Sequence, residues 1–129
     1  MHAADLELFN TIAQSLFQAE QNEPVIRPIP AEDLHQALDL ELPDAPSTPE
    51  QYAQALQQLI LQTPRTTTRG FFNQLFGGRQ SKAVIGDLLA ALLNNSMYTY
   101  KVAGPMVGVE KTLLRKVSNL VGYGATAGG

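Results

Sequence analysis

The sequence contains no cysteine, and its two histidines, His2 and His35, lie far apart in the chain. The lack of cysteine excludes a disulfide framework and fits a reducing compartment such as the cytoplasm. A metal centre needs a cluster of ligands that neither histidine offers, so no metal site is expected. A catalytic triad is disfavoured as well, because neither histidine has a nucleophile in its local sequence.

Positive charge and long apolar runs are also scarce. Nine lysines and arginines against twelve acidic residues give a formal net charge of −3, whereas nonspecific nucleic-acid binding needs a basic surface. The most apolar stretch, residues 83–93, contains Asp87 and is too short to span a bilayer. The N-terminal residues carry Asp5 and Glu7 and lack the basic region of a signal peptide. We therefore expect a soluble, cytoplasmic protein that binds neither nucleic acid nor membrane.

The sequence does contain a succession of apolar residues at helical spacing, without a clear succession of strands. The third helix has a strong start signal, because Ser47 and Thr48 can cap it and each is followed three residues later by Glu or Gln. Pro64 ends that helix. The alternation in residues 97–104 favours an extended segment. The predicted helices cover residues 5–19, 31–39, 49–62, 82–95 and 105–121, with irregular connectors over 21–30 and 63–81.

Two irregular segments flank the predicted helix at 82–95 and are unusually rich in aromatic residues. The first is RGFFNQLFGG at residues 69–78, and the second is NNSMYTYKVAG at residues 94–104. Taken singly, the first is a hydrophobic turn and the second is the end of a helix passing into a strand. Together they combine aromatic rings with amides and hydroxyls, a mixture that suits a ligand pocket.

These two segments resemble the pyridoxal-phosphate-dependent group II amino-acid decarboxylases. In that family a segment like HPRFFNQL precedes a helix, and a segment like NTSQYTYEIAP follows it. Residues 71–75 and 98–103 match these motifs here, and the resemblance is close over about residues 66–124. It implies a carboxy-lyase of cytoplasmic amino-acid metabolism, with an N-terminal helical segment followed by the start of the large domain of an α/β fold-type I enzyme.

The resemblance also implies a division of the chain and a cofactor. Residues 1–78 would form an N-terminal dimerisation segment that ends in the substrate loop, and residues 79–129 would begin the large cofactor-binding domain. The cofactor would be pyridoxal 5'-phosphate, held mainly by residues beyond Gly129, and the partner would be a second copy of the chain with a shared active site. The chain would then contain no catalytic residue, since none of its lysines lies in the context of the family's catalytic lysine: Lys82, Lys101, Lys111 and Lys116.

Five residues are implied to bind the amino-acid substrate. Gln74, Phe76 and Gly77 would line the pocket of one subunit, while Phe71 and Phe72 pin their segment to the protein body. Ser96 and Tyr98 would reach into the site of the neighbouring subunit.

The same positions bear on substrate choice. In the family, glutamate decarboxylases tend to carry a small residue at the position of Phe76, and Asn and Phe at those of Ser96 and Tyr98. Enzymes resembling cysteine-sulfinate decarboxylase carry Phe, Ser and Tyr, as this sequence does. The expected substrate is thus a short acidic amino acid, cysteine sulfinate or aspartate.

The sequence departs from the family pattern at two places. The family's His-Pro-Arg before Phe-Phe is Thr68-Arg69-Gly70 here, and Lys101 replaces the usual glutamate after Thr-Tyr. Two alternatives stay open at this point: glutamate or another amino acid as the substrate, or a helical protein-interaction module without enzymatic activity.

Overall fold

The computed structural model describes residues 2–41, 43–124 and 126–128, and these residues form helices without any strand. A 3₁₀ turn at Ala31–Asp33 precedes the second helix. The predicted helical character is confirmed. The helices are α1 (Ala3–Asn22), α2 (Leu34–Leu38), α3 (Pro49–Gln62), α4 (Ser81–Leu93), α5 (Tyr100–Ala103) and α6 (Pro105–Leu120).

The chain divides into two compact units, Met1–Arg79 and Gln80–Gly129. In the first unit α1 and α2 both pack against α3. The apolar stripe of α1 buries Ile12 and Ala19, whereas Phe9 and Phe17 keep nearly half of their surface exposed. Much of the apolar surface predicted for this helix is therefore not covered within the unit.

The start of α3 follows the predicted capping signal, with Thr48 as the cap. The backbone N–H of Gln51 donates to Thr48 Oγ1 at 3.2 Å, and the N–H of Thr48 donates to Gln51 Oε1 at 2.8 Å. This reciprocal pair satisfies two backbone donors that the first turn of a helix otherwise leaves without partners.

Arg65 joins the end of α3 to the proline-rich connector that follows α1. Its guanidinium donates to Glu23 Oε2 at 2.6 Å and to the carbonyl oxygens of Pro24 and Leu61 at 2.8 and 2.9 Å. Its backbone N–H donates to the Val25 carbonyl at 2.7 Å. Arg65 is only 4% exposed, so one buried side chain fixes a connector that has no regular structure of its own.

Gly70 packs against the same connector. A Cβ atom placed on Gly70 would lie 2.9 Å from Cγ2 of Val25, closer than side chains approach each other. The close contact needs a residue without a side chain at position 70.

In the second unit α5 and α6 pack together, and Ala103 of α5 is buried. The expected extended segment over 97–104 is wrong in its second half, because residues 100–103 form α5. Thr99 is extended and precedes the helix, and Gly104, at a φ of 55° and a ψ of −129°, ends it and starts α6. Such a backbone conformation is accessible mainly to glycine. Gly104 therefore allows α5 to end and α6 to begin at a single residue, in a region where the alternating sequence pattern favours a strand.

Most apolar side chains of α6 remain at least 40% exposed, so the unit does not cover this face: Met106, Val109, Leu113, Val117 and Leu120. None of the helices in the described ranges combines the length and the apolar character needed to cross a membrane.

Candidate functional site

The first aromatic segment, residues 69–78, is a compact turn held by its own short-range contacts. The N–H of Leu75 donates to Asn73 Oδ1 at 2.8 Å, and the N–H of Phe76 donates to the Asn73 carbonyl at 3.2 Å. The rings of Phe71 and Phe76 meet edge to face, with centroids 5.5 Å apart and planes at 87°. This arrangement is a favourable one for aromatic pairs, and it fixes the direction of the Phe76 ring.

The predicted pocket residues of this segment lie on its surface. Gln74 is exposed, Phe76 is 57% exposed, and no atom would contact a Cβ on Gly77 within 4 Å. Phe71 is half-buried against Phe76, but Phe72 is 99% exposed. The expectation that Phe72 pins the segment is therefore wrong within this chain, because the short turn directs its ring to solvent.

The second aromatic segment begins where α4 ends. Asn94 ends the helix in the left-handed conformation, with a φ of 45° that asparagine tolerates better than most residues. The N–H of Tyr98 then donates to Ser96 Oγ at 3.2 Å. Ser96 is exposed and Tyr98 is 90% exposed, so both hydroxyls are available to a ligand.

Each of the two segments belongs to its own compact unit. The structure brings Phe76 and Gly77 together with Gln74 in one turn, and Ser96 together with Tyr98 in another. Their contribution to a single pocket, from two subunits, stays a prediction.

Sequence reasoning missed a polar cluster beside the first segment. The carboxylate of Glu20 accepts hydrogen bonds from Thr67 and Arg79, and burial, which raises its pKa, is outweighed by these bonds and by the charges of Arg79 and Arg65, which lower it. The pKa of Glu20 therefore lies below its ordinary value. No sequence motif marks this cluster, because its members are 47 and 59 positions apart from Glu20 along the chain.

A groove of about 590 Å³ lies between this cluster and the start of the segment. Glu20, Glu23 and Arg69 are the charged residues among those that line it. Because Glu20 and Glu23 already pair with Arg79 and with Arg65, the groove is a mixed polar surface rather than a cation site.

Pyridoxal phosphate calls for a cation at its phosphate and an amine at its aldehyde. Among the described residues, the guanidinium groups of Arg65 and Arg79 are paired with Glu23 and Glu20, and all four lysines are exposed. No group of three or more potential metal ligands lies together in the described part of the chain. The placement of cofactor-binding residues beyond Gly129 stays a prediction.

Comparison with known proteins supports the resemblance. The cysteine sulfinic acid decarboxylase of mouse is 37% identical over 97 residues, which are 75% of this chain and 20% of that protein. The acidic amino acid decarboxylase GADL1 of cattle is 34% identical over 102 residues, and the glutamate decarboxylase of Drosophila melanogaster is 29% identical over 104, again 20% of each relative's length. The chain thus spans about a fifth of the curated relatives it matches.

The fold gives the same result. The crystal structure of mouse CSAD superposes with a TM-score of 0.85 at 30% identity, covering 99% of this chain and 28% of that one. No family model matches the sequence. The similarity in sequence extends over three quarters of the chain, and the similarity in structure over nearly all of it. The chain therefore belongs to the group II amino-acid decarboxylases and corresponds to the N-terminal region of these fold-type I enzymes.

Proposed function

We propose that the full-length protein is a pyridoxal-phosphate-dependent decarboxylase of a short acidic amino acid, cysteine sulfinate or aspartate. It would act in the cytoplasm as a homodimer with a shared active site. The residues described above would supply the substrate-binding side of that site and the dimer contacts, and the catalytic lysine would lie elsewhere in the protein.

The orientation of Phe76 is the observation that carries the substrate assignment. Its ring contacts Phe71 edge to face and leaves 57% of the residue surface exposed, so it presents an apolar wall. A phenyl ring fills space that a small residue would leave open, so a pocket lined by Phe76 would be shorter than one lined by a small residue at this position. Aspartate and cysteine sulfinate fit such a pocket, whereas glutamate carries one methylene more.

The polar groups of the two segments suit an anionic head group. Ser96 Oγ accepts the N–H of Tyr98, which leaves the hydroxyl proton of Ser96 free to donate to a carboxylate or sulfinate. The phenol of Tyr98 and the amide of Gln74 are further donors on exposed side chains. These side chains would bind and orient the substrate rather than move a proton.

When bound, pyridoxal phosphate serves as the electron sink for the pair released as carbon dioxide leaves. This chain's own part would be to hold the bond to the α-carboxylate in a favourable direction and to keep water away from it. Phe76 would exclude water, while Gln74, Ser96 and Tyr98 would fix the direction of the substrate.

Steady-state kinetics of the purified full-length protein test the substrate assignment. We expect higher kcat/KM for cysteine sulfinate or aspartate than for glutamate. Phe76→Ala should raise the kcat/KM ratio of glutamate to cysteine sulfinate about tenfold, because one methylene in an apolar pocket discriminates about 10- to 200-fold. Phe72→Ala is the matched control from the same segment and should leave the ratio unchanged. Preference of the wild type for glutamate or an aromatic amino acid would contradict the assignment.

Hybrid dimers test the shared site. Full-length chains carrying Gln74→Ala or Tyr98→Ala should each be nearly inactive as homodimers. If one site takes Gln74 from one subunit and Tyr98 from the other, a mixed dimer contains one site without any substitution and regains about half of the activity of one wild-type dimer. No recovery in a mixed dimer, with dimer exchange verified by mass, would place both residues in the same subunit's site.

The cofactor is tested separately by the visible spectrum of the full-length protein. We expect a pyridoxal absorbance band that borohydride removes. A full-length protein without this band after incubation with the cofactor would contradict the proposal.

A further inference from the structure

One carboxylate contacts both ends of the first aromatic segment. Glu20 Oε1 accepts from Thr67 Oγ1 at 2.6 Å, two residues before the start of the segment, and from Arg79 Nη1 at 3.1 Å, immediately after its end. Glu20 Oε2 accepts from Arg79 Nη2 at 2.7 Å, which makes the Arg79 pair bidentate. We call Glu20, Thr67 and Arg79 the clasp.

The ion pair of the clasp is partly shielded from solvent, and Glu20 is its more shielded member. The Glu20 side chain is 14% exposed and that of Arg79 is 31% exposed. The Arg79 guanidinium also stands 5.1 Å above the centroid of the Phe17 ring, a favourable cation–π distance. Bidentate pairs of arginine with carboxylate are geometrically specific as well as strong. The clasp therefore fixes the orientation of the Arg79 side chain relative to Glu20 as well as its distance.

The place of Glu20 in its helix is unfavourable without these partners. Glu20 lies in the last turn of α1, which ends at Asn22, and a negative charge there opposes the helix dipole. The stability of α1 therefore does not explain an acidic residue at position 20. The contacts of its carboxylate with Thr67 and Arg79 do explain it.

The segment needs a contact of this kind at its exit. Its entry is held by Arg65, whose carbonyl accepts from the N–H and hydroxyl of Thr68 at 3.2 and 2.9 Å. Its exit passes through Gly77 and Gly78, and Gly78 has a φ of 82°. Two consecutive glycines give the backbone wide freedom, so Arg79 is the first residue that can fix the exit through its side chain.

We propose that Glu20 is a positioning residue for substrate binding, because its carboxylate closes the loop of residues 68–78 and so orients Gln74, Phe76 and Gly77. The inference rests on the proposed function for the role of those three residues. The closure itself is independent of that function. Loss of the clasp would remove the side-chain contact that holds the exit of the segment to α1 and would broaden the directions that its side chains sample.

Amide hydrogen exchange of the full-length protein tests the closure. The N–H groups of Leu75 and Phe76 report on the segment, and the N–H of Thr63, bonded to the Leu59 carbonyl at 3.1 Å, reports on α3. In Glu20→Gln the two segment amides should exchange about three- to tenfold faster, the range expected for a charge-assisted pair that is partly open to solvent. Exchange at Thr63 should stay unchanged, which shows that the unit remains folded.

Further variants separate the effect of the Glu20–Arg79 pair from the effect of a general change in charge. Arg79→Gln should reproduce the effect of Glu20→Gln, and the double variant should exchange no faster than either single one, because both remove the same interaction. Arg79→Lys, which keeps the charge but not the fork, should give a partial effect. Arg27→Gln is the matched control: it breaks the 3.4 Å pair with Glu23 outside the segment and should leave the segment amides unaffected.

Kinetics of the same proteins test the positioning role. Glu20→Gln and Arg79→Gln should raise KM for the acidic substrate about three- to tenfold with a smaller change in kcat, while Arg27→Gln leaves both unchanged. Wild-type exchange at Leu75 and Phe76 in Glu20→Gln, or additive effects in the double variant, would overturn the closure. Faster exchange with KM unchanged in an active enzyme would overturn the positioning role. Faster exchange in a protein that does not decarboxylate acidic amino acids would instead refute the proposed function and confirm the closure.

Discussion

Replacing Arg65 by methionine should destabilise the junction between α3 and the connector by about 2–4 kcal/mol. The substitution keeps an unbranched apolar stem but removes three hydrogen bonds, leaving the Pro24 and Leu61 carbonyls without their donor and the Glu23 carboxylate with only its 3.4 Å pair to Arg27. Breaking a buried ion pair from one side typically costs about 3–5 kcal/mol. The Glu23 side chain is 32% exposed and can recover water, so the expected cost falls below the top of that range.

Native-state hydrogen exchange of the full-length protein measures this cost at the amide of position 65, whose N–H donates to the Val25 carbonyl. A loss of 2–4 kcal/mol corresponds to exchange faster by about 30- to 1,000-fold, at about 1.36 kcal/mol per factor of ten. In Arg65→Lys the exchange rate at position 65 should lie between those of the wild type and Arg65→Met. An ammonium retains the charge but cannot donate to all three acceptors in the same geometry.

Arg69→Met is the matched control, since Arg69 undergoes the same chemical change on an exposed residue. It should leave exchange at position 65 unchanged. Exchange in Arg65→Met within threefold of the wild type would refute the reasoning, because it would mean that desolvation of the buried pair cancels its attraction and its hydrogen bonds.

Three further predictions concern single features. Thr48→Ala should destabilise α3 by about 1 kcal/mol and speed exchange of its central amides about fivefold, because it removes the cap, while Ser47→Ala has little effect. Gly78→Ala should cost about 1–2 kcal/mol because of the φ of 82°, and Gly77→Ala should cost much less, as read from exchange at the preceding amides. The stabilisation from Glu20 should be fully present above the ordinary carboxyl pKa near 4.5 and lost as the pH falls through its lowered value in the folded protein. Rate-corrected exchange at the segment should show this loss in the wild type and not in Glu20→Gln.

Local signals carried the prediction of the helices. The cap at Thr48 with Gln51 and the stop at Pro64 fix α3 through contacts between close neighbours in the sequence, so its bounds follow from the sequence alone. α5 was missed because its start depends on an extended Thr99 and its end on the backbone of Gly104. A helix of four residues is also too short to show a helical repeat of apolar residues in the sequence.

The sequence predicted only those residues of the candidate site that lie within the two motifs. Gln74, Phe76 and Tyr98 were identified by resemblance, and the structure adds the turns that fix their backbones. The pairing of Glu20 with Arg79 depends on how distant parts of the chain meet. Such contacts have no signature in a single sequence, because arginines and glutamates are common on every helical surface.

The close approach of Gly70 to Val25 links the evolution of two positions that are 45 residues apart. Valine is stiff about its first side-chain torsion, so it cannot easily turn Cγ2 away from a new neighbour. A lineage that acquires a side chain at position 70, such as the arginine of the family pattern, should therefore first reduce position 25 to alanine or glycine, or shift the connector. We expect the two positions to covary among relatives, and the order of their substitutions along a phylogeny to be constrained.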